Sequence, residues 1–481
     1  MLGLVAVVAA GALLVSGGSG ADPRTPRGLP GMPPPFLGTA VVGGGGLTAA
    51  IDAYGDVVDL RVPGPAGRAL VDNPADRQAA GTVPADTGIV PWVSVNNHPA
   101  RPLWTADSVT QRYRPGTNVV VTAARFGQVR VRVVYAAGDS LLACLTEAGE
   151  GGRVELRSRE PAAERRLRCD DEAARRTIRA AAREDRRWLR RALPLAPGAP
   201  PWAGEMHERS LLVLRALTDR RTGAVAAGAR DGWAYVWPRD AATAAMALAA
   251  AGYRAEARQA VRFLLRIDLA AAARFYGSGD PVPGRGRQGD AAGWVAAAAR
   301  AVGAPAPTPL PWRNLPDYQE KEPGDYLGNA LAAADGAKTL RYGARSSRRL
   351  VQRLGDPGSG LDSAAAWAVE PFRLRPLYPA ARVTLLRLAR LGGRFGITPG
   401  ERWPGTDPWS APTAWTAWSL AALGERRQAL RLMAALRRSA TPAEALPERV
   451  DARTGVPRST TPLAWSHAFA ILALRELWPP R

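Results

Sequence analysis

Apolar and polar positions alternate in twos along the first third of the chain and recur at helical spacing thereafter. Residues 47–53 and 57–62 flank Tyr54-Gly55 and predict a hairpin. Residues 118–123, 129–135, 141–146 and 153–157 continue the short alternating segments, with turns between them. Such a series predicts an antiparallel β-sandwich, spanning 37–165. The run Gly43-Gly44-Gly45-Gly46 precedes one of these strand-like segments and not a helix, so it reads as a glycine-lined strand entry and not as a phosphate loop. From Asp170 the period is helical. Asp170, Asp171 and Glu172 place acids at a helix start, and the arginine-rich run that follows ends before Pro194. Residues 166–202 are therefore a connecting helix and linker.

Beyond the linker, glycine and proline loops separate helical segments at 205–218, 239–251, 255–267, 291–302, 327–354, 380–391, 413–423, 426–438 and 462–477. Many are too rich in Ala and Leu to bury one face only, which predicts helices enclosed by their neighbours. A bundle, a solenoid and a closed α/α toroid all satisfy that pattern over 203–481.

The extreme N-terminus changes the setting. Residues 2–15 form an uninterrupted apolar and small-residue run, about the length of a signal-peptide core and short for a bilayer span. Residues 1–21 are thus expected to be a signal peptide or N-terminal anchor, and 22–36, with Pro33-Pro34-Pro35, an extended spacer. The protein is expected to be exported, either secreted or held at the cell surface, with attachment to membrane or cell wall through this end. In that setting Cys144 and Cys169 could pair or remain two structural thiols. His98, His207 and His467 lack ligand spacing, so no metal site or cofactor is expected.

The formal net charge of +21 suggests a nucleic-acid binder until its make-up is read. Only Lys321 and Lys338 are lysines, and apart from one stretch near 175–191 the arginines are spread among acids. A solvated surface fits better than a phosphate-binding patch, and no nucleic-acid motif is present.

Unusual residues concentrate in the loops of the second part. Trp233-Ala-Tyr235-Val-Trp237-Pro238-Arg239-Asp240 sets aromatics at alternate positions before a helix opened by proline. Aromatic faces stack on sugar rings, and an Arg-Asp pair hydrogen-bonds vicinal hydroxyls. This segment resembles the aromatic-x-W-x-R-D signature of glycoside hydrolase family fifteen, the glucoamylase family. Gln288-Gly-Asp290-Ala-Ala-Gly293 is similar to its Q-x-D-x-x-G loop, and Asp317-Tyr318-Gln319-Glu320 to the motif holding its general acid. Arg402-Trp403-Pro404-Gly405-Thr-Asp407 resembles its R-Y-P-x-D loop. Leu446-Pro447-Glu448-Arg449-Val450-Asp451, Thr454-Gly455 and Pro462-Leu463-Ala464-Trp465-Ser466-His467-Ala468 resemble L-P-E-Q-V-D…T-G…P-L-A-W-S-H-A, where the glutamate is the base. The motifs occur in family order.

The resemblance implies an (α/α)6 toroid behind a β-sandwich and an inverting hydrolase of α-linked glucosides or glucan ends, with an oligo- or polysaccharide as partner. It implies Glu320 as general acid and Glu448 as general base, with Tyr235, Trp237, Arg239, Asp240, Arg402 and Trp465 as sugar-binding residues. Inversion leaves room for a water, which places the two carboxyls roughly 6.5–9.5 Å apart. Gln319 and Arg449 stand where the family has tryptophan and glutamine, and Trp233 where it has tyrosine. Only the turn Gly358-Ser359-Gly360 stands where the family has a further helix, which would leave the ring one helix short. A glycan-binding protein of the cell envelope with impaired catalysis is the alternative that these departures motivate.

Overall fold

The computed structural model describes residues 28–72, 87–230, 232–312, 315–319, 327–336, 354, 361–401 and 403–480. The segment 1–21, the start of the spacer and the turn Gly358-Ser359-Gly360 lie outside the described residues.

Two sheets face each other in the N-terminal part. The first has the order β1 (Gly38–Gly43), β2 (Thr48–Asp52), β3 (Val57–Val62), β5 (Ile89–Val95) and β11 (Gly152–Ser158), with β4 (Arg68–Val71) on β3 and β6 (Arg101–Pro102) on β5. The second runs β12 (Leu167–Cys169), β10 (Leu142–Ala148), β9 (Val129–Ala137), β8 (Val120–Phe126) and β7 (Ser108–Tyr113). All pairings are antiparallel except β10 with β12. In β9 the alternation is direct: Val129, Val131 and Val133 are buried while Arg130 and Arg132 are exposed. The expected hairpin at Tyr54-Gly55 is present, with Ala50 opposite Asp59. The Asp52 carboxylate organises its turn by accepting from the amides of Tyr54 and Asp56, both at 2.9 Å. Cys144 and Cys169 form a disulfide that fastens β12 to β10.

After the short α1 (Pro161–Glu164), α2 (Glu172–Leu189) lies on the second sheet, its Asp171 cap accepting from Ala174 N at 2.7 Å. The helices of the second part form a ring. Its inner members are α4 (Pro238–Ala250), α6 (Ala291–Val302), α7 (Leu327–Gly336), a six-residue 3-10 helix (Ser363–Ala368), α9 (Ser410–Ala422) and α11 (Ala464–Leu477). Each packs on the next, and α11 returns to α4, so the ring closes. The outer members α3 (Pro201–Ala216), α5 (Arg254–Arg266), α8 (Tyr378–Leu391) and α10 (Arg426–Ser439) cover it. The sequence explains which is which. Pro238 to Leu248 of α4 and Ser410 to Leu420 of α9 are buried all round, as Ala-rich helices between neighbours must be. By contrast, α5 buries only the stripe Ala257, Ala260, Val261, Phe263 and Leu264. One inner element is thus reduced to a single 3-10 stretch, capped by Asp362 accepting from Ala364 N at 2.8 Å. Edge-to-face contacts link Trp294, Trp367, Trp415 and Phe469 and fill the ring's centre.

The glycine run touches the helical part at Gly43 and the turn between β9 and β10 at Gly44 and Gly46. A Cβ at Gly43 would stand 2.3 Å from the carbonyl oxygen of Ala216, at the end of α3. At Gly44 and Gly46 it would meet the carbonyls of Gly138 and Asp139 at 2.4 and 2.2 Å. Only residues without a side chain let these backbones touch.

Candidate active site

Loops preceding the inner helices meet in a cleft of about 420 Å³ at one mouth of the ring. Trp237, Arg239, Asp240, Glu448 and Trp465 all line it, although α4 and α11 are separated by over half of the helical part. Trp233, Gln319, Trp403, Trp409, Arg449 and Ser459 are also part of the wall. Tyr235 is not brought there. Its ring packs edge-to-face on Tyr276 at 5.5 Å with Arg274 over it at 4.8 Å, because residues 232–235 run through turns and bends and do not keep the common face that alternate positions of a strand would share. Glu320 and Arg402 lie outside the described residues, so the separation of the two expected carboxyls does not enter the geometry.

Two of the sequence motifs prove to be one device. Arg239 Nη1 donates to Gln288 Oε1 at 2.8 Å and to Asp290 Oδ2 at 2.7 Å, with Asp290 fully buried. The clamped guanidinium stacks over Trp465, 4.7 Å from the ring centre. Asp240, only 4% exposed, is the next residue and lines the cleft. Burial pushes its carboxyl up to about 7, opposed by Arg239 and reinforced by the charges of Glu448 and Asp290.

Glu448 is the most elaborately held carboxyl of the site. Trp233 Nε1 donates to its Oε1 at 3.3 Å and the Ser459 hydroxyl donates to its Oε2. Burial raises its pKa, while Ser459, Arg449, Trp233 and Arg230 favour the ionised form. Its backbone is tied on both sides, since Glu448 N donates to Thr460 O at 2.8 Å and Ser410 N to Glu448 O at 2.9 Å. The start of α11 braces the same loop. Ser466 Oγ donates to Pro447 O at 3.1 Å, and Leu446 N donates to His467 Nε2 at 2.9 Å. His467 Nδ1 therefore carries the proton toward Ser210 Oγ, 2.9 Å away, and burial holds its pKa down to about 3.

Residues 203–275 match the profile described as Glycosyl hydrolases family 15. Among solved structures, a bacterial glucoamylase complexed with acarbose superimposes with a TM-score of 0.63 at 11% identity, over 94% of this chain and 96% of that one. The resemblance to glycoside hydrolase family fifteen is borne out. A wild-type glycosidase aligns at 19% identity over 58% of this chain and 99% of its own, with a TM-score of 0.46. A glucoamylase from Saccharomycopsis fibuligera aligns at 12% over 59% and 96%, with a TM-score of 0.42. No curated protein matches the chain in sequence.

The β-sandwich and helical toroid are thus those of a bacterial glucoamylase fold. Against the family pattern, Trp233 supplies an indole N–H to Glu448 where a tyrosine would bring a hydroxyl. Gln319 is buried and donates to Tyr318 Oη at 2.9 Å, so its amide supports the tyrosine and offers no ring to a ligand. Arg449 turns toward Asp407, 3.4 Å away, along the cleft rim. Sequence reasoning passed over Ser459 and Trp409 as site residues. Neither stands in a spaced motif: the bridge of Trp409 with Arg449 brings that tryptophan to the Glu448 loop, and backbone hydrogen bonds of Glu448 with Thr460 and of Arg458 with Arg449 bring Ser459. Among the described residues no group of three or more His, Cys, Asp or Glu could hold a metal ion.

Proposed function

We propose that the protein is a glycoside hydrolase acting on α-linked glucosides or glucan ends by an inverting two-carboxylate mechanism. The observation that carries this is the convergence of Trp237, Asp240, Glu448 and Trp465 on one cleft of sugar-binding size. In this reading Trp237 and Trp465 give the ring face an apolar surface, and Asp240 hydrogen-bonds its hydroxyls. Glu448 takes a proton from a water that attacks the anomeric carbon, while Glu320 protonates the departing glycosidic oxygen as its bond to that carbon breaks. The hydrogen bonds from Trp233 and Ser459 support the base role, because they oppose the upward push of burial on the Glu448 carboxyl and aim it. We place the protein outside the cytoplasm, a reading supported by the Cys144–Cys169 disulfide.

The test is release of glucose from a panel of α-linked glucans. Wild type should release sugar with inverted anomeric configuration, and Glu448→Gln should abolish release while retaining acarbose binding by calorimetry. Unchanged turnover in that variant would remove Glu448 from the mechanism. Binding of glucans by wild type without any release would identify a glycan-binding protein instead.

A further inference from the structure

The outer face of α2 takes no part in the cleft. Arg175, Arg176, Arg183, Arg186, Arg187 and Arg190 are all exposed, and none has an ion-pair partner among the described residues. With Arg179, which pairs with Glu172 at 2.6 Å, they fall within a stripe of about 120° running roughly 22 Å along the helix. Ala174, Ile178, Ala182, Asp185 and Trp188 form the opposite, buried stripe. The acids that could neutralise the ridge are turned away: Glu184 pairs with Arg215 and Arg220, and Asp185 with Arg215. Two concave surfaces continue the ridge. One, of about 520 Å³, is lined by Arg187, Arg191 and Arg262 together with Glu184 and Glu256, and the other, of about 690 Å³, by Arg166, Arg220 and Arg221 together with Asp139 and Glu184, so each carries an excess of arginine over acid. A genome bias toward arginine explains the residue type but not this uncompensated alignment.

We propose that this face binds a linear acidic polysaccharide and holds the protein to an anionic glycan matrix. Successive arginines along the ridge are three or four residues apart, about 5–6 Å, a spacing suited to a polymer with one carboxylate per sugar. The planar guanidinium pairs with carboxylates through two parallel hydrogen bonds. A flexible chain can follow the ridge into the flanking concavities, whereas a flat bilayer would leave them empty. Single-stranded nucleic acid is disfavoured because the ridge presents no aromatic ring for base stacking, and a duplex, too stiff to follow the ridge into the concavities, is an arm of the test. Trp188 lies beneath the ridge, stacked on Tyr253 at 3.9 Å.

The inference is independent of the cleft, and the experiment keeps the two apart. The full chain is titrated with polygalacturonate, with pullulan as the neutral control and duplex DNA and phosphatidylglycerol vesicles as competing arms. Wild type and E448Q should bind polygalacturonate alike and pullulan not through this face, with affinity falling by about tenfold or more between low and physiological salt. The variant R175Q/R176Q/R183Q/R187Q should lose at least about tenfold in affinity at low salt with an unchanged melting temperature. The double variant R183Q/R187Q should fall between, which keeps the test valid if the quadruple variant folds poorly. Undiminished binding in both variants, or tighter binding of DNA or vesicles than of polygalacturonate at equal salt, would overturn the proposal.

Discussion

Replacing Asp290 by Asn should expose how much the Arg239 clamp matters. The two side chains are 5% and 0% exposed and meet at 2.7 Å, and the amide keeps the carboxylate's shape and one acceptor. What disappears is the charge. At a separation near 4 Å and an effective dielectric near 20, the attraction is about 4 kcal/mol. Loss of one partner from a buried pair costs about 3–5 kcal/mol, since the other charge stays buried. Gln288 and Asp240 remain beside the guanidinium, so a loss near the lower end is expected, about 3 kcal/mol. Urea unfolding followed by tryptophan fluorescence measures it. The double replacement Arg239→Met with Asp290→Leu should recover most of the loss, because the lone buried guanidinium is then gone and Asp240, already raised to about 7, can take up a proton. A loss below about 0.5 kcal/mol in the single variant would refute the clamp as an electrostatic device. A double variant no better than the single would assign the effect to packing.

Asp240→Asn tests the raised carboxyl. Because its folded value is about 7 against the usual 3.8, the folded state keeps this proton longer than the unfolded chain, and stability falls as pH rises between those values. The variant should therefore be more stable than wild type above pH 7 and flatten that part of the pH–stability curve. A difference curve isolates it, since Asp52 and Glu448 are raised in the same direction. Trp233→Phe removes the indole donor to Glu448, so the acid limb of the rate profile should move to higher pH and turnover should fall about tenfold. An unmoved limb would separate Trp233 from the base. His467→Ala leaves Leu446 N–H without its acceptor and opens a buried space, so thermal unfolding should show a loss of about 2–4 kcal/mol. A stability unchanged from wild type would show that the loop needs no brace from α11.

The sandwich was legible in the strands with clean alternation, such as β9. It was less so in β5, where Pro91 interrupts an apolar run, and in β7, whose Ser108–Tyr113 alternates but carries few apolar residues. Periodicity placed α4, α5, α6 and α10 to within a residue or two. It put the start of α3 too late, because Pro200 and Pro201 read as a joint although proline suits a first helical turn. Closure of the ring could not be seen in any one helix, since it depends on α11 returning to α4. Of the candidate site, the motif residues Trp237, Arg239, Asp240 and Glu448 line one cleft. Tyr235 stands in the same motif as Trp237 but packs on Tyr276, because motif membership says nothing about where the turns at 232–235 send a ring. The clamp of Gln288 and Asp290 on Arg239 was invisible as a contact, though all three residues stood in spaced motifs.

The glycine contacts between the hairpin of β1 and β2 and the end of α3 bear on how such a chain can diverge. There one backbone meets another, and the side chains of Thr48, Asn118, Arg209 and Arg220 add hydrogen bonds to backbone carbonyls across the same seam. Residues away from the seam can drift in size and charge, provided Gly43 gains no Cβ and these donors keep their acceptors. The two parts then keep one mutual orientation while their sequences change around it. The superposition on a bacterial glucoamylase, at 11% identity, extends over both parts and nearly the full chain.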